Sequence, residues 1–493
     1  MSFTLLSARK ARPSIASGVR DTSRAVDDIH VRSFGVSAAS RTPITVLIGS
    51  NGTGKSRLLA GVAQAFSILD GLLNQKVYTG RNFPLDELEY EINGRRTQVL
   101  AESGKVRTAV CNGQEVMPFE LHLPKRVIAL TTTPYDKFIV PRRSIYMPYA
   151  GIDNVYQYLG LRDSTNKASP LNFLYTALQN LFDVVQRQGG RRDQIATVFD
   201  MLDLEPEVRV TYRLRSPKYL NEAIRSGPNF LDEVKGDYER RRFESVLSVP
   251  GGGYEQLRQA MQYVLETADA RGNVFVEASL LETARDYSNL GMLQLLRRVG
   301  VLSVKSVFMR RKGGDLLDIR LASSGELSFI STFIALASVL ESDSLVLIDE
   351  PEVSLHPEWQ SRYIETLSNV FSGYTGCHYI VATHSPLIVN DIDPSAFVYS
   401  FDRDILVGGR EVSGQPVDTI LAKLFKLPTT SNLYLRNEVA SALRLAADGE
   451  IGSPEFQDTV DELEALSEDI EADEPILEVI EALMTARGLG RAD

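Results

Sequence analysis

The chain has 493 residues, 53 Lys and Arg against 64 Asp and Glu, a net charge of −11 and 43% hydrophobic residues. At roughly 100–200 residues per domain that is two to four structural units, and such a composition excludes wholesale disorder. No run approaches the ~20 uninterrupted apolar residues of a membrane-spanning helix. Cys111 and Cys377, the two cysteines, make neither a disulfide framework nor a thiolate metal site, which points to a reducing, cytoplasmic setting.

In chain order, residues 1–20 carry Arg9, Lys10, Arg12 and Arg20 and no acid. That texture is shared with transit peptides, and the expectation is a surface-bound or flexible leader. Residues 27–150 read as strands and turns around one long helix. A first strand over Ile29–Val36 is followed by Pro43-Ile-Thr-Val-Leu-Ile48, an apolar β-branched run typical of a buried parallel strand. A helix begins at Gly54 and carries Leu58, Leu59, Val62, Phe66 and Leu69 at i, i+3, i+4 spacing. Short alternating stretches over 85–130 end in the strand Val127–Leu130. From 151 to 303 the texture is helical, with Leu171, Leu174, Leu178, Leu181, Phe182 and Val185 on one face. Pro206, Pro217, Pro228 and Pro250-Gly-Gly-Gly253 cut this region into short helices and argue against a continuous coiled coil. Strands return at 304, where Ser306–Met309 and Leu316–Leu321 flank Gly313-Gly314 as a hairpin. A helix over 325–340, a strand over 345–349, a helix over 357–371 and a strand over 378–383 follow, and this alternation implies a parallel sheet.

Gly49-Ser50-Asn51-Gly52-Thr53-Gly54-Lys55-Ser56 fits the pattern G-x-x-x-x-G-K-[ST] between a buried strand and an amphipathic helix. Its glycines let backbone N–H groups converge on phosphates, and the helix N-terminus adds partial positive charge. In such a loop the lysine reaches the β- and γ-phosphates and the hydroxyl of Ser56 ligates Mg²⁺. Leu345-Val-Leu-Ile-Asp349-Glu350 is an apolar strand ending in two carboxylates, where open α/β sheets bind ligands. Asp349 suits Mg²⁺, directly or through water, and Glu350 suits the orienting or deprotonating of an attacking water. Ser323-Ser324-Gly325-Glu326 opens a second helix as an anion-binding N-terminus. His384, just after the strand Tyr379–Ala382, is within reach of a γ-phosphate.

The set resembles the ABC-type ATPases of the SMC-like and OLD-like group. Gly49–Ser56 matches their Walker A motif, Ala322-Ser-Ser-Gly-Glu326 the LSGGQ-type signature and Leu345–Glu350 Walker B. Pro351-Glu-Val-Ser-Leu-His-Pro357 matches the D-loop region and Thr383-His384-Ser385-Pro386 the switch-histidine loop. The resemblance covers about residues 27–150 and 304–400. It implies an α/β fold: a P-loop ATPase head with a mixed or parallel sheet flanked by helices, a helical insertion and a helical tail. The expected division is 1–150 and 304–447 as the two halves of the head, 151–303 as the insertion and 448–493 as the tail. It further implies ATP and Mg²⁺ as ligands, with Ser323, Ser324, Gly325 and Glu326 in the cofactor-binding set, and two heads sandwiching two ATPs, Ser324 and Gly325 completing the partner's site. Glu350 would be the catalytic base and His384 the γ-phosphate sensor. For the family's Q-loop glutamine the candidate is Gln157, after the loop Thr131–Tyr135.

The insertion is too short and too broken for the arm of an SMC protein. Only about 110 residues follow His384, without the acidic arrangement of an OLD-type nuclease; Asp402-Arg-Asp404 reads as a turn. The expectation is therefore that any nuclease is a separate chain. This compact head resembles the ATPase subunit of the Septu anti-phage defence system, which implies a homo-oligomer that restrains a separate effector, a nuclease. The alternative is an SMC-like ATPase acting directly on DNA in repair or recombination. It would grip phosphates through Arg187, Arg191, Arg192, Arg240-Arg241-Arg242, Arg297-Arg298 and Arg310-Arg311-Lys312. A membrane-transporter subunit is disfavoured.

From Asp448 to Glu481 there are 14 acids and no Lys or Arg. Taking that −14 from the total of −11 leaves +3 for the remainder. The acidic balance therefore belongs to a tail of amphipathic helices, as a cap on its own head or a docking element for a basic partner.

Overall fold

The computed structural model describes residues 2–10, 29–31, 33–35, 43–74, 82–141, 154–162, 169–187, 192–215, 224–232, 234, 237–247, 253–279, 292–293, 295–297, 299–426, 432–467, 470 and 475–490. At its centre lies a seven-stranded sheet built from β3 (Ile44–Ile48), β8 (Val127–Thr131), β9 (Tyr156–Leu159), β14 (Leu345–Asp349), β15 (His378–Ala382), β16 (Phe397–Ser400) and β17 (Ile405–Gly408). Their order is β17-β16-β3-β15-β14-β8-β9, parallel except for the edge strand β17. The apolar runs in β3, β8, β14 and β15 follow from burial on both faces. Val46, Ile48, Val346, Ile348 and Val381 enter one core, whereas Leu47, Leu345, Leu347, Ile380 and Ala382 enter the other. Each such Val, Leu or Ile contributes about 1.5–3 kcal/mol by burial.

Over the second face lie helix α1 (Lys55–Leu73) and a six-stranded antiparallel sheet. Its order is β2-β1-β4-β5-β6-β7, from β1 (Phe3–Lys10), β2 (Ile29–Val31), β4 (Glu87–Ile92), β5 (Arg95–Glu102), β6 (Lys105–Cys111) and β7 (Gln114–Val116). Length and apolar composition would let α1 cross a bilayer, but Leu58, Leu59, Val62, Phe66 and Leu69 are buried in this core. The N-terminal segment corrects the expectation of a leader. Phe3 and Leu5 are fully buried, and β1 pairs with both β2 and β4. The Leu5 N–H donates to Nδ1 of His378 at 3.1 Å, and the other ring nitrogen lies 3.1 Å from the Thr45 hydroxyl. Burial holds His378 down at about 3, hence neutral. Arg12 and Arg20 lie outside the described residues.

Over the first face lie α2 (Pro170–Arg187), α3 (Arg192–Met201) and the helices Ser324–Val339 and Tyr363–Val370. Residues 151–303, expected as a helical insertion, carry Asp237–Leu247 and Tyr254–Thr267 besides α2 and α3, and differ from that expectation in also carrying strands. β10 (Leu204–Leu214), β11 (Asn273–Ser279), β12 (Leu302–Arg311) and β13 (Leu316–Asp318) form an antiparallel sheet of order β11-β10-β12-β13. The expected hairpin is β12–β13. Pro206, read from sequence as a helix breaker, lies within β10, where the β10–β12 register shifts between Leu204 and Val208.

Three of the arginines named for DNA, and Lys312, have acidic partners among the described residues. Arg310 pairs with Glu207 at 3.4 Å, Arg240 with Glu244 at 3.1 Å, Arg311 with Glu326 and Lys312 with Asp200. Arg297 stacks over the Tyr175 ring at 4.2 Å. The side chains of Arg187, Arg191, Arg192 and Arg298 lie outside the described residues.

The acidic tail joins a bundle that starts before Asp448. Helices Leu433–Ala447, Pro454–Ser467 and Pro475–Gly490 share a core of Leu435, Val439, Phe456, Val460, Leu463, Ile480 and Leu483. Ala422 of the helix Val417–Leu424 enters the same core.

Candidate functional site

Leu47 of β3 stands opposite Ala382 of β15, and Ala382 opposite Asp349 of β14. The residues that follow these strands therefore meet at one sheet edge. The structure brings together there Gly49–Ser56, Asp349, Glu350 and His384, as the spacing predicts. The loop turns through Gly52 at φ 89° and Gly54 at φ 103°, a left-handed backbone that glycine adopts without strain.

Lys55 opens α1 and folds back into its own loop. Its ammonium donates to the carbonyl oxygens of Gly49 (2.7 Å) and Ser50 (3.1 Å) and to the Thr53 hydroxyl (3.3 Å). It also lies 3.3 Å from Nδ1 of His384. An ammonium can only donate, so Nδ1 carries the lone pair and the ring proton sits on Nε2. Nε2 faces Oε1 of Glu350 at 3.7 Å. Burial pulls Lys55 down to about 8, against the carboxylates of Asp402, Glu352, Asp349 and Glu350, which raise it. Burial, then the Lys55 charge, hold His384 below its ordinary value, hence neutral at pH 7.

Behind the loop the Ser56 hydroxyl donates to Oδ1 of Asp349 at 2.8 Å. Asp349 is 2% exposed, and burial pushes its carboxyl up to about 7 in spite of that hydrogen bond. A hydroxyl and a carboxylate in contact at this edge are hard oxygen donors of the kind Mg²⁺ takes, so these residues fit the ion. Glu350 adopts φ +50°, and its N–H donates to the Ala382 carbonyl at 2.9 Å. Such a backbone costs on the order of 1–3 kcal/mol in a non-glycine residue. Here the turn carries the carboxylate toward His384.

Ser323 caps the helix Ser324–Val339, its side chain accepting the Glu326 N–H at 3.1 Å. Glu326 is ion-paired with Arg311. Ser323 and Ser324 are exposed, and Leu321 beside them is 84% exposed. Gly325 is buried against the Ser354 carbonyl, where a Cβ has no room. This terminus thus rests on the segment after β14; among the described residues no hydrogen bond joins it to 49–56.

Gln157 is not at the site. It lies on the edge strand β9 and its amide donates to the Asn154 carbonyl at 2.8 Å. Strand β8 instead sets Thr131 opposite Asp349, and the loop beyond it carries Asp136. The buried Asp136 carboxylate accepts from the Tyr158 hydroxyl and from Nε of Arg162, both at 2.9 Å.

Two further carboxylates escaped the sequence reading. Asp402 lies in a turn as expected, between β16 and β17, yet it accepts both the N–H and the hydroxyl of Ser50 at 2.7 Å. Glu352 accepts the backbone N–H of His384 at 2.6 Å. Burial raises its carboxyl above the ordinary range while that N–H draws it back. No local pattern could mark Asp402, because only the adjacency of β16 and β3 brings its turn to the loop.

A family described as AAA domain, putative AbiEii toxin, Type IV TA system matches residues 163–390. The retron Vc95 probable ATPase of Vibrio cholerae serotype O1 biovar El Tor is 20% identical over 419 residues, 76% of this chain and 74% of that protein. Protein ea59 of Escherichia phage lambda is 32% identical over 117 residues, which span 23% of this chain and only 22% of that protein. Among solved structures, the SMC head domain from Thermotoga maritima is 13% identical at a TM-score of 0.31, covering 83% of this chain and 97% of that one. The Smc head domain of Pyrococcus furiosus bound to the C-terminal domain of ScpA is 12% identical at 0.30, covering 83% and 97%. The family match and the retron relative support an ATPase of the AAA kind.

Proposed function

We propose that the chain is an ATP-hydrolysing ABC-type ATPase whose nucleotide-driven head dimerisation regulates a separate effector, a nuclease, in antiviral defence. The observation that carries the catalytic part is the convergence of Lys55, Ser56, Asp349, Glu350 and His384 at one sheet edge. The backbone of Gly49–Ser56 and the Lys55 ammonium bind the phosphates. Ser56 and Asp349 would hold Mg²⁺, which would supply charge neutralisation on the phosphate oxygens. Glu350 orients a water for attack on the γ-phosphorus and takes its proton; the attack breaks the bond to the leaving ADP oxygen. His384 presents Nε2–H to the same region and steadies the phosphate being transferred.

Dimerisation draws on the exposed signature. Ser323, Ser324, Gly325 and Glu326 complete the ATP site of a second head, and Leu321, 84% exposed, is covered there. Turnover is slow and regulatory. The role in defence rests on the likeness to the retron ATPase and on the compact head resembling Septu. The arginines already paired with acids disfavour direct DNA binding. Cytoplasmic residence belongs to the same reading.

The test is Glu350→Gln with saturating MgATP in sedimentation. Retained binding, lost turnover and a trapped dimer are expected, and a monomer would sink the head-sandwich part. Co-expression with the product of the neighbouring gene addresses the effector: no complex in any nucleotide state would remove that part alone.

A further inference from the structure

The segment after β14 and the loop after β15 are clasped at two points. At the first, Oε1 of Glu352 accepts the His384 N–H at 2.6 Å. At the second, the Ser385 hydroxyl donates to Oε1 of Gln360 at 2.7 Å, and the amide of Gln360 donates to the Leu355 carbonyl at 3.0 Å. Oε2 of Glu352 is enclosed without a hydrogen bond of ordinary geometry, although the Thr383 hydroxyl beside the carboxyl favours its charged form. A carboxylate oxygen enclosed without a full set of partners is destabilising, so stability alone does not account for Glu352. A charge-assisted bond to one backbone N–H is, however, a strong way to fix a loop.

The fixed loop carries His384. Its ring stands 3.3 Å from the Lys55 ammonium and 3.7 Å from Glu350, contacts that depend on where the 383–385 backbone sits. The opposite side of the same segment abuts Gly325 through the Ser354 carbonyl. We propose that Glu352 is a positioning residue for turnover: its carboxylate, seconded by Gln360 at Ser385, holds the His384 backbone where the ring meets the γ-phosphate. This rests on the ATPase reading above. The phosphate loop is not part of the clasp, so nucleotide affinity stays while the chemical step loses its geometry. A displacement near 1 Å can cost on the order of a hundredfold in rate.

The experiment measures phosphate release and ATP affinity of the full chain with Mg²⁺ for wild type, Glu352→Ala, Glu352→Gln and Gln360→Ala. Glu352→Ala should lower kcat about 10- to 100-fold with the ATP Kd within about threefold. Glu352→Gln, whose side-chain oxygen still accepts the His384 N–H, should recover most of that rate. Gln360→Ala should lower kcat less, with the same split between rate and affinity. An unchanged kcat in Glu352→Ala overturns the inference, as does a Glu352→Gln as slow as Glu352→Ala, since charge rather than position would then matter. If Glu352→Ala melts below the assay temperature, a Gln360→Ala rate equal to wild type overturns it instead. A wild-type chain without turnover overturns the ATPase reading and the inference with it; wild-type turnover with a silent clasp overturns the inference alone.

Discussion

Two helix N-termini in this molecule are built from the same residue types and differ in almost everything else. The loop 49–56 closes over Lys55, which is 3% exposed and faces Asp402, Glu352, Asp349 and Glu350. The turn 323–326 leaves both serines in water, and its glycine is used for packing against Ser354. A terminus surrounded by its own chain's lysine, carboxylates and histidine can bind and turn over a ligand. An exposed terminus that rests on the neighbouring segment can only add to a site assembled from elsewhere. Serine and glycine before a helix therefore state a capacity for anions, and the surroundings decide whose anion it is.

The largest effect should separate the two outright. Lys55→Ala should weaken ATP binding about a hundredfold or more, since a buried charge-assisted contact to phosphate is lost; calorimetry checks this, and a Kd near wild type would mean the loop is not the binding element. Next, Ser324→Arg should leave ATP affinity of the dilute chain within about threefold but reduce turnover roughly a hundredfold by obstructing the second head. If it weakened binding as Lys55→Ala does, the two termini would belong to one site and the contrast would collapse. Smallest is the pH dependence of the buried loop. Asp349, raised to about 7, must be ionised to take Mg²⁺, so affinity falls as pH drops through 7. Lys55, lowered to about 8, must be protonated, so affinity falls again above 8. A plateau between these values is expected, with slopes of at most about tenfold per pH unit on either side. Flat affinity from pH 6 to 10 would mean that neither group is depressed or raised by burial.

The motifs and the central strands were legible because their signals are local. Strands buried on both faces need unbroken apolar runs, and a phosphate loop needs glycines at set spacing. The strand at Asn273–Ser279 also has a readable signal, since Val274, Val276 and Ala278 point inward while Phe275 and Glu277 are exposed. It went unseen because the surrounding helices and prolines dominated the texture. The N-terminal strand was misread for another reason: Arg9 and Lys10 sit at its exposed end, while Phe3 and Leu5 find their core only against β4 and α1.

The sequence by itself determined that there is a phosphate loop on one strand, a carboxylate pair on a second and a histidine after a third. Only the tertiary structure decided that these strands lie in the order β3-β15-β14 with β16 beside β3. That order makes Asp402 a partner of Ser50 and Glu352 a partner of His384, across 352 and 32 residues of chain. Strand order is chosen by the packing of two cores against one sheet, a sum over many distant side chains. No short stretch of sequence contains it, and it is what turns three separate motifs into one site.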